Sequence, residues 1–433
     1  MTTVDTDVLV VGSGPSGSAT ALRLASLGHR VTLVEKRATP RHKACGDVLT
    51  PRAVAELARL GVDPLDPAQL DARPLDPDGR RGADHRAGHR IEGVRLIATG
   101  REITEPWPEH PDFPDHAVAL RRDVLDESLR ARARQAGVVV LMGHEATAPL
   151  AERGFVRGAT MSTLDGEREI RARFVVVADG ANSRFGRALG TTRAHDWPYG
   201  IATRSYWTSP RSSDHWLETW LAIPDANGTP IAGYGWVAPL GDGTVNIGIG
   251  VLSSYRDIRG VHVLKLLDAF ARQIADRWGI DPSDMLKPST RFRVPLGGSV
   301  GPTMGPTFLV VGDAAGVANP FNGDGVDAAL MTGRLAADVL DEALTSGNST
   351  SLQRYPTLLA ESVGQYHKVG RLTARFVGRP GVLRPVLRVA MRSDRVMGSA
   401  LRIASRQLRD DRAGSAERSY ALVAALSKLA PNW

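Results

Sequence analysis

The segment Asp7–Lys36, DVLVVGSGPSGSATALRLASLGHRVTLVEK, constrains this 433-residue chain more than any other. Asp7–Val11 reads as a buried strand, Gly14–Leu27 as a helix closed by Gly28, and Arg30–Glu35 as a second, β-branched strand. Gly12, Gly14 and Gly17 form G-x-G-x-x-G at the strand-to-helix turn. Gly12 permits the tight turn, Gly14 lets backbone amides approach a pyrophosphate, and Gly17 lets helix and strand pack closely, while the helix N-terminus favours negative charge. Glu35, about 20 residues beyond the glycines, is placed to bond ribose hydroxyls. The pattern predicts a dinucleotide-binding βαβ unit but does not separate NAD from FAD.

Two later segments point to FAD. Phe308–Leu340 reads as a buried strand, Gly312-Asp313, a glycine-rich turn and a long amphipathic helix beginning near Val326. Asp313 can accept hydrogen bonds from a polyol. Gly323 and Gly325 open the backbone at the helix start, where free amides suit the N1/O2 edge of a reduced isoalloxazine. The same segment also reads as a plain βα unit with an aspartate cap. Between the two units, RFVVVADGANSRFGRALG supplies a third buried strand ending in Asp179-Gly180, and no second nicotinamide-type glycine fingerprint follows. The stretches GIATRSYWTS, HWLETWLAIP, PIAGYGWVAPLG and TVNIGIGVLSS predict successive antiparallel strands, with turns at Asn227-Gly228 and Gly241–Gly243. Their Trp and Tyr content suits an apolar ligand cavity.

G-x-G-x-x-G, the central DG and the late GD, in that order over roughly Asp7–Leu340, resemble the flavoprotein hydroxylase superfamily with the p-hydroxybenzoate hydroxylase fold. KACGDVLTPRAVAEL, GYGWVAPLGDGTVNIGIG and GDAAGVANPFNGDGVDAALMTGRLAADVL narrow the likeness to the geranylgeranyl reductase family, in particular its bacterial menaquinone-reducing branch. The resemblance implies an α/β fold: a Rossmann-like FAD-binding domain (1–75, 118–192 and 299–345), a mostly antiparallel β-sheet substrate domain (76–117 and 193–298) and a helical C-terminal region (346–433). It implies FAD contacts from Gly12, Gly14, Ser16, Gly17 and Glu35, and from the cysteine turn Ala44, Cys45, Gly46 and Val48. Arg122 would reach the pyrophosphate, Ala146 the adenine side, Asp313 the ribityl region, and Gly325 with Val326 the flavin ring. Asp123 is expected to cap the helix running to Gly137, and Thr50 the helix that Pro51 starts. Tyr234, Trp236 and Pro239 match an aromatic-x-Trp-x-Phe-Pro substrate pattern in which Ala238 replaces the phenylalanine; a core strand with two aromatics on one face is the alternative.

Cys45 is the single cysteine of the chain, which excludes an intramolecular disulfide and a cysteine-based metal cluster. Three roles stand for it: a backbone contact to the flavin, a thiol tuning redox state or proton delivery, or packing in a tight turn. No basic leader precedes the first strand and no run of about 18 apolar residues occurs, so a cytoplasmic protein is expected, held at the inner face of the cell membrane. Net charge is +7, which favours acidic partners. Beyond Leu340, Pro380 and Pro385 are expected to break the chain into short helices. Met397, Leu401, Ala404 and Leu408, flanked by Arg395, Arg402, Arg406 and Arg409, predict an amphipathic basic helix, either on an anionic bilayer or docked on the FAD domain. No nucleic-acid-binding fold accompanies the arginines.

The activity implied is FAD-dependent hydrogenation of C=C bonds in a polyprenyl chain, foremost the side chain of menaquinone and otherwise a geranylgeranyl compound. NAD(P)H, bound transiently, or a reduced electron-transfer protein would supply electrons. The rivals are an aromatic monooxygenase or halogenase of the same fold and a non-catalytic prenyl carrier. No proton donor is assignable from sequence.

Overall fold

The computed structural model describes residues 4–39, 45–70, 87–221, 223–224, 228, 230–255, 258–287, 289, 291–411 and 414–429. Ala44 and Asn227 lie outside them. Strand Val4–Val11, helix Pro15–Ser26 and strand Val31–Glu35 make the opening βαβ unit. The first strand pairs in parallel with Val31–Glu35 on one side and Gly166–Val177 on the other; Val139–Met142 and Phe308–Val310 extend the parallel sheet outward. Helices Pro15–Ser26, Pro51–Arg59, Arg122–Gln135 and Val326–Ser346 bury their apolar stripes, including Leu22, Leu57, Leu129 and Leu330, on one face. An antiparallel meander, Glu145–Glu152 and Phe155–Thr163, grows from the N-terminal half of Gly166–Val177 and covers part of the other. The first and last of these helices touch closely: a methyl group at Gly333 would lie 2.4 Å from the Ser16 carbonyl oxygen.

A second sheet has the order Phe292–Pro295, Tyr199–Thr208, Thr244–Leu252, Gly233–Pro239, Trp216–Leu221, Gly93–Ala98, Arg101–Pro106. All its pairings are antiparallel except that of Trp216–Leu221 with Gly93–Ala98. Alternation of side chains gives it two faces. Trp207, Val237, Ile247 and Ile249 pack against Leu267, Phe270 and Ile274 of helix Val263–Trp278. Ala202, Trp236 and Ala238, with Tyr234, Leu217, Phe292 and Val294, form the opposite face, against which Val48 packs.

Four expectations are corrected. Pro385 lies inside helix Pro380–Ala390 instead of ending it; at the sixth of eleven residues its missing N–H forgoes one backbone bond while the neighbouring bonds carry the helix through. Asp123 is the second residue of helix Arg122–Gln135, paired with Arg121. The helix start is instead capped from a distance, by the Asp47 carboxylate accepting from the Arg122 amide at 3.2 Å. Thr50 holds the cap position, but its hydroxyl donates to Asp324 (2.9 Å) instead of accepting from its own helix. The amphipathic basic helix is Asp394–Ala404; Arg406 takes a left-handed φ of 56°, which leaves Leu408 beyond it. Its apolar face is docked: Met397 is buried with Ile91, Ile103 and Trp107.

Candidate active site

Three turns converge between the two sheets. The first is the glycine turn. Gly12 has φ 106°, and a methyl group there would lie 2.3 Å from the Ala178 carbonyl oxygen; at Gly17 it would lie 1.9 Å from that of Gly12. At Gly14, the cap of helix Pro15–Ser26, a methyl group would meet no atom within 4 Å, so the helix start opens on free space. Ser16 is buried in the first turn, beneath Gly312. Glu35 ends its strand as expected, and its carboxylate accepts from the Ser13 hydroxyl (3.0 Å) and the Arg37 amide (3.1 Å). Ala146 is buried beside the corner at which the His144 amide donates to the Glu35 carbonyl (2.9 Å).

Sequence reasoning missed Arg130. Its buried guanidinium donates to the Ser13 hydroxyl at 3.2 Å and pairs with Glu127. Arg122 is held by a two-pronged bond to Asp126 (3.1 and 2.9 Å) beside Cys45. Asp179 abuts the glycine turn; one of its oxygens accepts from the Phe185 amide (3.0 Å) and the other is buried with no hydrogen-bond partner among the described residues.

The second turn is Cys45-Gly46-Asp47. Asp47, buried and at φ 58°, accepts from the Tyr206 hydroxyl at 2.6 Å and the Asn246 amide at 2.7 Å. Asn246 also donates to the Cys45 carbonyl (2.9 Å) and accepts from the Trp236 indole (3.0 Å). The network ties the cysteine turn to the second sheet. Burial pushes the Asp47 carboxyl up, while Arg204 and the donors from Tyr206 and Asn246 pull it down. Burial also pushes the Cys45 thiol up, against the pull of Arg122, so at neutral pH it is a thiol and not a thiolate.

The third turn, Asn319–Gly325, precedes helix Val326–Ser346, with Gly325 as its cap. Asp313 lies in the short 3₁₀ turn after strand Phe308–Val310, and a methyl group at Gly325 would lie 3.2 Å from its carboxylate. Tyr234 and Trp236 bridge the second and third turns. The Tyr234 hydroxyl donates to the Asn322 carbonyl, and a methyl group at Gly46 would lie 3.6 Å from the Trp236 indole nitrogen. Gly248 makes room for that indole, since a methyl group there would lie 2.1 Å from the ring. Asp324 was also missed. Burial and the nearby Asp327 raise its pKa to about 7, opposed by the Val326 amide and Thr50.

The residues present fit FAD. The open helix start at Gly14, the two glycines that admit no side chain, the unsatisfied oxygen of Asp179 and the amides behind Gly325 make a cradle with phosphate-, ribityl- and ring-binding chemistry in sequence. An FAD binding domain family matches residues 5–362. The chain is 37% identical to a menaquinone reductase of Mycobacterium tuberculosis (strain ATCC 25618 / H37Rv), over 94% of this chain and 92% of that protein. It is 30% identical to digeranylgeranylglycerophospholipid reductase 1 of Methanopyrus kandleri, over 81% and 84%. The crystal structure of a geranylgeranyl bacteriochlorophyll reductase-like protein from Thermoplasma acidophilum superposes with a TM-score of 0.75 at 22% identity, covering 98% of this chain and all of that one. The fold is thus that of the p-hydroxybenzoate hydroxylase-like flavoproteins, and the chain belongs to the geranylgeranyl reductase family of FAD-dependent oxidoreductases.

Proposed function

We propose that this protein hydrogenates C=C bonds of a polyprenyl chain, foremost the side chain of menaquinone. The observation that carries this reading is the 37% identity to a menaquinone reductase over nearly the whole of both chains. The apolar sheet face behind Tyr234 and Trp236, set against the cysteine turn, supports it. In this reading the FAD unit is 1–75, 118–192 and 299–345, and the second sheet carries the substrate.

Gly12, Gly14, Ser16 and Gly17, with Arg130, would hold the pyrophosphate, and Glu35 and Ala146 the adenosine end. Asp313 would bind the ribityl chain, and Gly325 with Val326, facing Cys45, Gly46 and Val48, the ring. Arg122 would act through Cys45. When bound, FAD supplies a two-electron reductant for one alkene carbon. An isolated alkene is unactivated, so the chain's contribution is to position it and exclude water. Trp236, Ala238, Leu217 and Phe292 provide the dry wall. The second alkene carbon needs a proton. Cys45 and Tyr234 are both pushed toward their protonated forms, but Asp324, at about 7, is the group that both gives and regains a proton at neutral pH. We assign it that role, with Thr50 orienting the carboxyl. Electrons would come from transiently bound NAD(P)H or a reduced electron-transfer protein, and the enzyme would work in the cytoplasm at the inner membrane surface.

The test is anaerobic reduction of the holoprotein followed by mixing with menaquinone or a geranylgeranyl lipid. Flavin reoxidation with a product two hydrogens heavier is expected. No product from either lipid refutes the proposal. Substrate-linked O₂ consumption with an oxygenated product would establish the monooxygenase reading, and colourless protein that binds prenyl lipid the carrier reading.

A further inference from the structure

Helix Pro380–Ala390 carries more apolar surface than the fold covers. At about 100° per residue, one side of its wheel presents Leu383 and Leu387, which are buried, as is Met391 just beyond the helix. Next come Arg384 and Arg388, both exposed, and then Pro385, Val389, Val382 and Val386. These three valines are 66%, 37% and 52% exposed and share one stripe. Phe376, near the end of the preceding helix Gln365–Val377, is 59% exposed. Between Lys368 and Arg392 the chain has seven basic residues and no acidic one, and Arg379, Arg384, Arg388 and Arg392 are exposed.

We propose that this face, and not the docked helix Asp394–Ala404, seats the protein on the surface of an anionic lipid bilayer. The proposal rests on the reading of the substrate as a membrane lipid and names the surface that reaches it. A second copy of the chain is the other occupant an aliphatic stripe suggests. A two-fold contact would set arginine row against arginine row, with no acidic residue in the segment to neutralise them. An anionic bilayer satisfies both halves of the face. Its hydrocarbon boundary takes the valines, and its phosphates take guanidinium groups whose stems lie along the apolar surface. This helix and the one before it are tied to the loops of the substrate sheet. The Arg384 guanidinium donates to the carbonyl of Gly228, in the connection between strands Trp216–Leu221 and Gly233–Pro239 (3.0 Å), and the Ser254 hydroxyl, just past strand Thr244–Leu252, donates to the carbonyl of Ala374 in helix Gln365–Val377 (2.6 Å). Docking here brings that end of the sheet to the membrane.

The test is flotation of the full-length holoprotein with vesicles of phosphatidylcholine alone or mixed with phosphatidylglycerol. It compares wild type with Val386→Asp/Val389→Asp and Arg388→Glu/Arg392→Glu, and flavin content verifies folding. Wild type is expected to float with the anionic vesicles, and each variant to bind at least about tenfold more weakly. Turnover of menaquinone embedded in vesicles should fall in parallel, while that of a short-chain menaquinone in detergent stays unchanged. Variants that float like wild type, a wild type that does not float, or a wild-type dimer that the variants dissociate would overturn the proposal. Lost flotation with no turnover in either presentation would support the surface and refute the polyprenyl reading alone.

Discussion

Tyr206→Phe tests whether the buried network behind the cysteine turn holds the two sheets together. The substitution removes one oxygen, from a side chain that is 2% exposed, and with it the 2.6 Å bond to Asp47. Asp47 keeps its donors from Asn246 and the Arg122 amide, so the loss is one hydrogen bond to a buried carboxylate, about 1.5–3 kcal/mol. For a chain of this length, with unfolding entropy of about 2.1 cal/mol/K per residue, that lowers Tm by about 2–3 °C. The sign with pH follows from Asp47. Its folded pKa is raised by burial, so the folded state binds the proton more tightly, and stability is lost as pH rises from the ordinary aspartate value through the folded one. Removing the Tyr206 donor raises the folded value further, so the penalty should be larger at pH 8 than at pH 4. The assay is chemical denaturation of the wild type, Tyr206→Phe, Asp47→Asn and the double variant at both pH values. Coupling of at least about 1 kcal/mol at pH 8 is expected. Additive effects, or a Tyr206→Phe penalty equal at the two pH values, would refute the account.

Gly248→Ala places a methyl group where the Trp236 ring stands; flavin content should be unchanged and KM for the prenyl substrate should rise several-fold, whereas unchanged kinetics would remove that face from the substrate site. Asp324→Asn should abolish the fall in turnover of the wild type as pH rises through about 7 and lower kcat by about 10²-fold or more; a retained pH profile in single-turnover reoxidation would exclude Asp324 as proton source. His367 is 4% exposed, and burial, with Arg406 and Arg371 nearby, lowers its pKa to about 3. Its folded value lies below the unfolded one, so stability falls as pH drops below about 6.5, by about 2 kcal/mol at pH 5. His367→Gln should lose that share of the acid sensitivity in denaturation curves at pH 8 and 5, and an unchanged pH dependence would exclude it.

The glycine turn was legible because its constraints are local: strand, Gly12, Gly17, helix and Glu35 follow one another within one βαβ unit, and each residue's reason can be stated from its neighbours. The network behind Cys45 was not legible for the opposite reason. Asp47 meets Tyr206 across 159 residues and Asn246 across 199, and nothing in GIATRSYWTS or TVNIGIGVLSS marks the residue whose side chain faces the turn until the strand register pairs Tyr206 with Asn246. Arg130 and Asp324 escaped for a related reason, since each meets a hydroxyl from a distant segment, that of Ser13 and that of Thr50. The tail shows a different limit. A hydrophobic period of three and four is the same whether the apolar stripe meets protein or lipid, so the pattern through Met397 and Leu401 could not say that the helix was already docked on Ile91 and Trp107. In helix Pro380–Ala390 the proline at the sixth residue argued for a break. What distinguishes it is the width of its apolar arc: once Leu383 and Leu387 are committed to the interior, Val382, Val386 and Val389 remain uncovered beside a row of arginines. Surplus apolar surface is a property of the folded molecule and not of the periodicity. The assignment of a membrane face therefore had to wait for the packing, and it moved from the helix with the regular pattern to the helix with the uncovered one.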